Sequence, residues 1–147
     1  MIAEPVKTPH ARRSPLFFIL LFSAGAVGYF CLELLFRGFS HWTMAICGGI
    51  CLCSIYLINR RLNSRSLFLR ALCGSLLITA VEFAAGCLLN LCWHWDIWDY
   101  SNLPMNILGQ ISAVFSVLWF LLCIPVCIAC SFLDAVALRR THRSNAV

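Results

Sequence analysis

Two glutamates stand inside apolar runs of this chain, Glu33 in "GYFCLELLFRG" and Glu82 in "LLITAVEFAAGCLL". A carboxylate is costly to take out of water, so each must be paired, protonated or put to use. An acid within a membrane span is a functional candidate by default. Arg37 follows Glu33 by four residues, so the two share one helical face and can pair, with Arg37 reaching to the interface. The plainer reading is a structural pair that makes Glu33 tolerable. Glu82 has no basic residue within one turn, and Arg37 is one candidate partner across helices. The plainer reading of Glu82 is a buried hydrogen bond that fixes packing. Gly86 and Asn90 continue its face in four-residue steps; a glycine permits close helix approach and an asparagine can bond across it. Asn106 and Gln110 are also four apart and are expected at the start of a helix, facing the outer half of the membrane. Together Glu33, Arg37, Glu82, Asn90, Asn106 and Gln110 could line one polar pocket open to the outside.

The stretch "CWHWDIWDYSNLPMN", Cys92 to Asn106, is the other concentration of chemistry. Trp93, Trp95, Trp98 and Tyr100 suit the membrane interface, where a ring is half apolar and its N–H or O–H stays wet. That account does not cover His94, Asp96 and Asp99. With His41 these could offer metal ligands, but no recognised spacing joins them, and no metal site is expected. Ser101 or Asn102 can cap a helix whose first turn holds Pro104. Cys127 and Cys130 form a C-x-x-C that reads as a small-residue stripe on a membrane helix. No nucleophile motif and no phosphate-binding glycine loop is present, so catalytic residues are unknown and this chain should not hydrolyse ATP. No cofactor is implied.

The elements that must position these residues follow from composition. The chain has 147 residues, 61% of them hydrophobic, against about 45–50% in an ordinary globular domain. Four apolar runs are separable: Leu16 to Phe36, Trp42 to Ile58, about Leu69 to Leu91 and about Ile107 to Leu133. About 20 helical residues cross the hydrocarbon core, so the fold class is all-α, a polytopic bundle of four transmembrane helices. Pro125 lies deep in the fourth and should kink it. The expected layout is an N-terminal tail over residues 1–15, a transmembrane domain over 16–138 and a C-terminal tail over 139–147. The ten cysteines lie nearly all in apolar runs and read as small hydrophobes. The net charge of +5 is a topology signal. Lys7, Arg12 and Arg13, then Arg60, Arg61, Arg65 and Arg70, then Arg139, Arg140 and Arg143 mark one side, which is the cytoplasmic one. Both termini are expected there, in an inner membrane. The basic groups would meet anionic lipid heads rather than nucleic acid.

"GYFCLELLFRG" (Gly28 to Gly38), "AVEFAAGCLL" (Ala80 to Leu89) and "WDYSNLPMNILGQ" (Trp98 to Gln110) together resemble the CmpB-type ABC-transporter, permease-like membrane family of bacteria. The resemblance covers roughly Phe22 to Leu122. It implies a small multi-helix bundle, and it carries over Glu33, Glu82, Trp98, Asp99, Tyr100, Ser101, Pro104, Asn106 and Gly109 as motif positions. Two positions depart from the pattern. Gln110 stands where family members often have an arginine, and Ser112 is near the place of a frequent cysteine. The first change alters the charge balance of the pocket, and Arg37 could compensate.

The expected function is therefore a transporter-like, permease-type membrane subunit. Its outward-facing polar pocket would take a small solute or a lipid headgroup through Glu33, Arg37, Glu82, Asn90, Asp99, Tyr100, Asn106 and Gln110. Four helices are few for a complete pathway, so a homo-oligomer or a partner is expected, and in an ABC system the ATPase must be a separate chain. The alternatives are a small membrane enzyme acting on lipid at the outer interface through His94, Asp96 or Asp99, and a non-transporting accessory or assembly protein.

Overall fold

The structure is a computed structural model that describes residues 13–144. Its elements are α1 (Pro15–Arg37), α2 (Trp42–Arg61), α3 (Leu67–Gly86), a π-helical turn (Cys87–Cys92) that prolongs α3, and α4 (Ala113–Ser144). Four helices are long and apolar enough to cross a membrane, and the described residues form no strand. The protein is an all-α, multi-pass membrane bundle. The expected N-terminal tail lies outside the described residues apart from 13–15. Positions 145–147 lie outside them too.

Local chemistry sets the helix ends. The Ser14 hydroxyl accepts from the Phe17 amide and Pro15 opens α1, where its missing N–H costs nothing. Gly38 closes α1 at φ 76°, its amide donating to the Leu34 carbonyl. The His41 ring caps α2 through the Thr43 amide, and Ser66 caps α3 through that of Leu69. Two expectations are corrected at the fourth helix. It begins at Ala113, capped by the Ser112 hydroxyl, not near Ile107. Pro104 lies in a turn well before it. Residues 93–112 cannot be helical, because His94, Asp96, Met105 and Leu108 hold left-handed φ values of about 50°.

Packing is sequential and uneven. α1 lies along α2, α2 along α3, α3 along α4, with a lesser contact of α2 on α4. α1 and α4 do not meet backbone to backbone; side chains bridge the gap. At one end Arg13 donates to Asp134 at 2.8 Å and to the Tyr56 hydroxyl at 2.6 Å, and that hydroxyl donates to Asp134 at 2.6 Å. The core between α2, α3 and α4 is built on Cys51, Ile55, Ala71, Ile78, Cys123 and Cys127. All ten cysteines are free thiols.

α1 and α2 meet at a glycine seam. A Cβ on Gly25 would lie 2.5 Å from the Gly48 carbonyl oxygen, and one on Gly48 would collide with Tyr29. Close backbone approach replaces the hydrophobic drive that lipid cannot supply. Gly48→Leu is expected to destabilise the bundle by about 2 kcal/mol through overpacking, read as a lower unfolding midpoint in detergent. An unchanged midpoint would show that the seam is not tight.

Candidate functional site

Glu33, Arg37 and Tyr29 lie at four-residue steps on one face of α1. The expected pair is present: Arg37 Nη1 donates to Glu33 Oε1 at 2.7 Å. The Ser40 hydroxyl donates to the other Glu33 oxygen at 2.5 Å, so both oxygens of this buried acid are satisfied. Arg37 Nη2 also donates to the Ile97 carbonyl, and its guanidinium lies 4.5 Å from the Phe39 ring centroid. Arg37 thus ties the end of α1 to the segment that follows α3.

Glu82 is not partnered by Arg37. It is 3% exposed and accepts from two aromatic side chains, the Tyr29 hydroxyl at 3.1 Å and the Trp119 indole N–H at 2.7 Å. Those donors come from α1 and α4, so one carboxylate joins three helices. The sequence reading missed both. The signals were available: Tyr29 precedes Glu33 by one turn, and Trp119 is the sole tryptophan of the fourth run. A buried indole N–H needs an acceptor.

A cavity of about 430 Å³ opens between α1 and α4, lined among others by Tyr29, Glu33, Arg37, Tyr100, Phe115 and Trp119. Its aromatic rings form a chain. Tyr100 stacks on Phe115 at 4.4 Å, Phe115 meets Trp119 at 6.4 Å, and Trp119 stacks on Tyr29 at 5.7 Å. Burial holds the Tyr100 phenol above its usual range. A second cavity of about 340 Å³ shares Tyr29, Leu32, Trp119 and Leu122 with the first and is otherwise apolar apart from Cys51 and Cys123.

Asn90 and Gln110 belong to a different arrangement, a buried fastener. Asn90 Nδ2 donates to the Trp98 carbonyl at 2.9 Å and to Gln110 Oε1 at 2.8 Å, while Asn90 Oδ1 accepts from the Ile97 amide at 2.8 Å. The Trp98 indole donates to the Gln110 carbonyl at 3.0 Å, and Gln110 Nε2 to the Leu108 carbonyl at 2.9 Å. Gly86 makes room, since a Cβ there would lie 2.5 Å from Gln110 Oε1. Gln110 therefore acts here through hydrogen bonds that an arginine could not accept. Trp98 is a correction to the interface reading: it is 6% exposed and part of a core cluster with Met44, Leu89 and Ile97. Trp93 and Trp95 are the exposed rings, in contact at 5.0 Å.

Asp99 and Asn106 organise a turn. Asp99 Oδ1 accepts from the Ser101 amide at 2.8 Å and the Ser101 hydroxyl at 2.5 Å. Asn106 Nδ2 donates to the Ser101 and Leu103 carbonyls, and its Oδ1 accepts from Gly109. Gly109 sits at φ 68° with no space for a Cβ, which would meet Ser101 Oγ at 2.5 Å. The Ser101 hydrogen bonds hold the Asp99 carboxyl below its ordinary range. A depressed carboxylate supports the folded turn above its unfolded pKa and loses that support as pH falls through the folded value. Protection of the 99–109 amides from hydrogen exchange is therefore expected to be full at neutral pH and to fall below about pH 4. Asp99→Asn should abolish that pH dependence, and a dependence that survived it would point to another group.

The eight expected site residues thus sort into three places. Glu33, Arg37 and Tyr100 line the cavity, Glu82 stands behind two of its rings, and Asn90, Asp99, Asn106 and Gln110 shape the segment that leads into α4. His41, His94, Asp96 and Asp99 do not come together as a metal-competent group of three among the described residues.

The family model described as "Putative ABC-transporter type IV", of the CmpB type, matches residues 21–144. No curated protein and no solved structure matches the chain.

Proposed function

Because the chain belongs to the CmpB-type ABC-transporter family, we propose that it is the membrane-embedded, permease-like subunit of a transporter whose ATPase is a separate chain. The cavity between α1 and α4 is its binding pocket, facing outward and taking a small solute or a lipid headgroup. One observation carries this reading: a polar pair, Glu33 with Arg37, sits on the wall of an otherwise largely apolar and aromatic cavity inside the membrane bundle. A few placed polar groups in an apolar concavity are the usual build of a small-molecule site. Glu82 positions Tyr29 and Trp119 in that wall. Asp99, Tyr100 and Asn106 shape its mouth, and Asn90 and Gln110 hold the mouth in place. Both termini lie on the cytoplasmic side of an inner membrane, since Arg13, Arg60, Arg61, Arg65, Arg70 and Arg139 gather at the end opposite Arg37. The exposed apolar faces of α1 and α4 meet lipid, a second copy or the partner subunits.

The test is gentle purification from native membranes followed by protein and lipid mass spectrometry. A co-purifying ATPase, with flux lost in Glu82→Gln, is the expected result. A chain that purifies without an ATPase, and whose ligand binding is indifferent to Glu82→Gln, would overturn the proposal.

A further inference from the structure

We propose that the occupant of the α1–α4 cavity is an organic ammonium ion with an apolar tail. This rests on the cavity being the binding pocket and names the chemistry it selects. Three observations converge on it. The first is the wall. Tyr29, Phe36, Tyr100, Phe115 and Trp119 all line the cavity, and a ring face attracts a cation through its quadrupole, most strongly when the pair is removed from water.

The second is what stands behind that wall. The Tyr29 hydroxyl and the Trp119 indole both donate to Glu82. A ring whose polar hydrogen is bonded to a carboxyl group is enriched in π-electron density, so these two rings are better cation acceptors than isolated ones.

The third is charge. Arg37 is matched by Glu33 at 2.7 Å, and the hydrogen bonds to Glu82 come from uncharged donors. The wall itself is balanced, and Glu82 behind it adds one acid whose hydrogen-bond partners are uncharged. An ammonium ion drawn to the rings would favour the ionised form of Glu82 and be balanced by it, whereas an anionic ligand would oppose that ionisation. The tail has a place too. The adjoining cavity of about 340 Å³ begins at the shared residues Leu32 and Leu122 and runs on past Ala24, Leu52 and Val126, with little polar surface to desolvate. The ammonium group could come from a free amphiphilic cation or from the headgroup of a lipid entering sideways between α1 and α4.

The experiment uses the full chain in phosphatidylglycerol nanodiscs. Binding of hexyltrimethylammonium, octanol and hexyl sulfate is followed by tryptophan fluorescence, with partitioning into empty nanodiscs subtracted. The expected result is that the cation binds at least about tenfold tighter than octanol. That ratio should collapse in Glu82→Gln, which keeps the shape and loses the acid, and in Tyr100→Leu at the mouth. The ratio is read within each variant, so a general loss of folded protein does not imitate the effect. Equal binding of cation and alcohol, or tighter binding of the sulfate, overturns the ammonium assignment and leaves the cavity as a binding pocket. Absence of binding by all three overturns the pocket itself. Repeating the titration at one fixed phosphatidylglycerol fraction, diluted either with phosphatidylethanolamine or with an uncharged glycolipid, separates the sources at matched surface charge, the comparison being phosphatidylethanolamine against glycolipid. A weakened apparent affinity for the soluble cation shows that the lipid's own ammonium headgroup competes for the site, and an unchanged one shows that the free ion is the ligand. Either result accompanies ammonium selectivity.

Discussion

Trp119→Phe is expected to destabilise the bundle by about 3 kcal/mol, because it removes one of two hydrogen bonds to a buried acid. The ring survives in shortened form, so lost packing is the smaller part. The 2.7 Å indole contact is the shorter of the two bonds to Glu82, and no water-exposed route replaces it at 3% exposure. The strain falls on the carboxyl group, so removing that group should relieve it. Adding Glu82→Leu to Trp119→Phe is expected to recover part of the loss, although Glu82→Leu alone destabilises by stranding the Tyr29 hydroxyl and the indole. A double-mutant cycle on unfolding in detergent should therefore show a coupling of about 1–3 kcal/mol. Strict additivity would mean that the two side chains do not depend on each other.

Asn90→Leu is expected to be the most damaging single change, at roughly 4 kcal/mol. It strips partners from three buried groups at once, the Ile97 amide, the Trp98 carbonyl and Gln110 Oε1, and each such loss costs about 1–3 kcal/mol. The damage should be local before it is global. Hydrogen exchange and proteolytic cleavage are expected to rise first over residues 93–112, while α1 and α2 keep their protection. Because Arg37 binds the Ile97 carbonyl, the α1 end of the cavity should loosen with that segment. Unchanged protection of 93–112 would show that the segment is held by something other than this fastener.

Much of the fold was legible in the sequence, because lipid forces every backbone group to be satisfied within its own helix and so demands long apolar runs. The Glu33–Arg37 pair was legible for a related reason: partners four apart on one helix need no knowledge of how helices are rotated. Glu82 was legible as a problem but not as a solution. Its donors come from positions 53 residues before it and 37 after it, and only the packed bundle brings them together. The start of α4 was misread because "PMNILGQIS" is apolar enough to pass for helix. The hydrogen bonds of Asn106 and the left-handed backbone at Met105 and Leu108 spend that apolar stretch on a folded loop instead. By sequence Trp98 resembles an interface ring, because its neighbours Trp93 and Trp95 are exposed. The difference is the Gln110 carbonyl, twelve residues away, which receives its indole N–H.

The junction at Glu82 also has an order in time. Chains are made from the N-terminus, and α3 is complete before the first residue of α4 exists. Until the fourth helix has joined the bundle, Glu82 has Tyr29 to bond to and lacks Trp119. The half-made protein therefore carries an under-satisfied acid in its third helix, and arrival of the fourth relieves it. The glycine seam of α1 and α2 can close early, whereas the α3–α4 hairpin gains its polar lock only at the last helix. A chain interrupted before Trp119 would keep the first hairpin and lack the condition that makes the third helix comfortable in lipid.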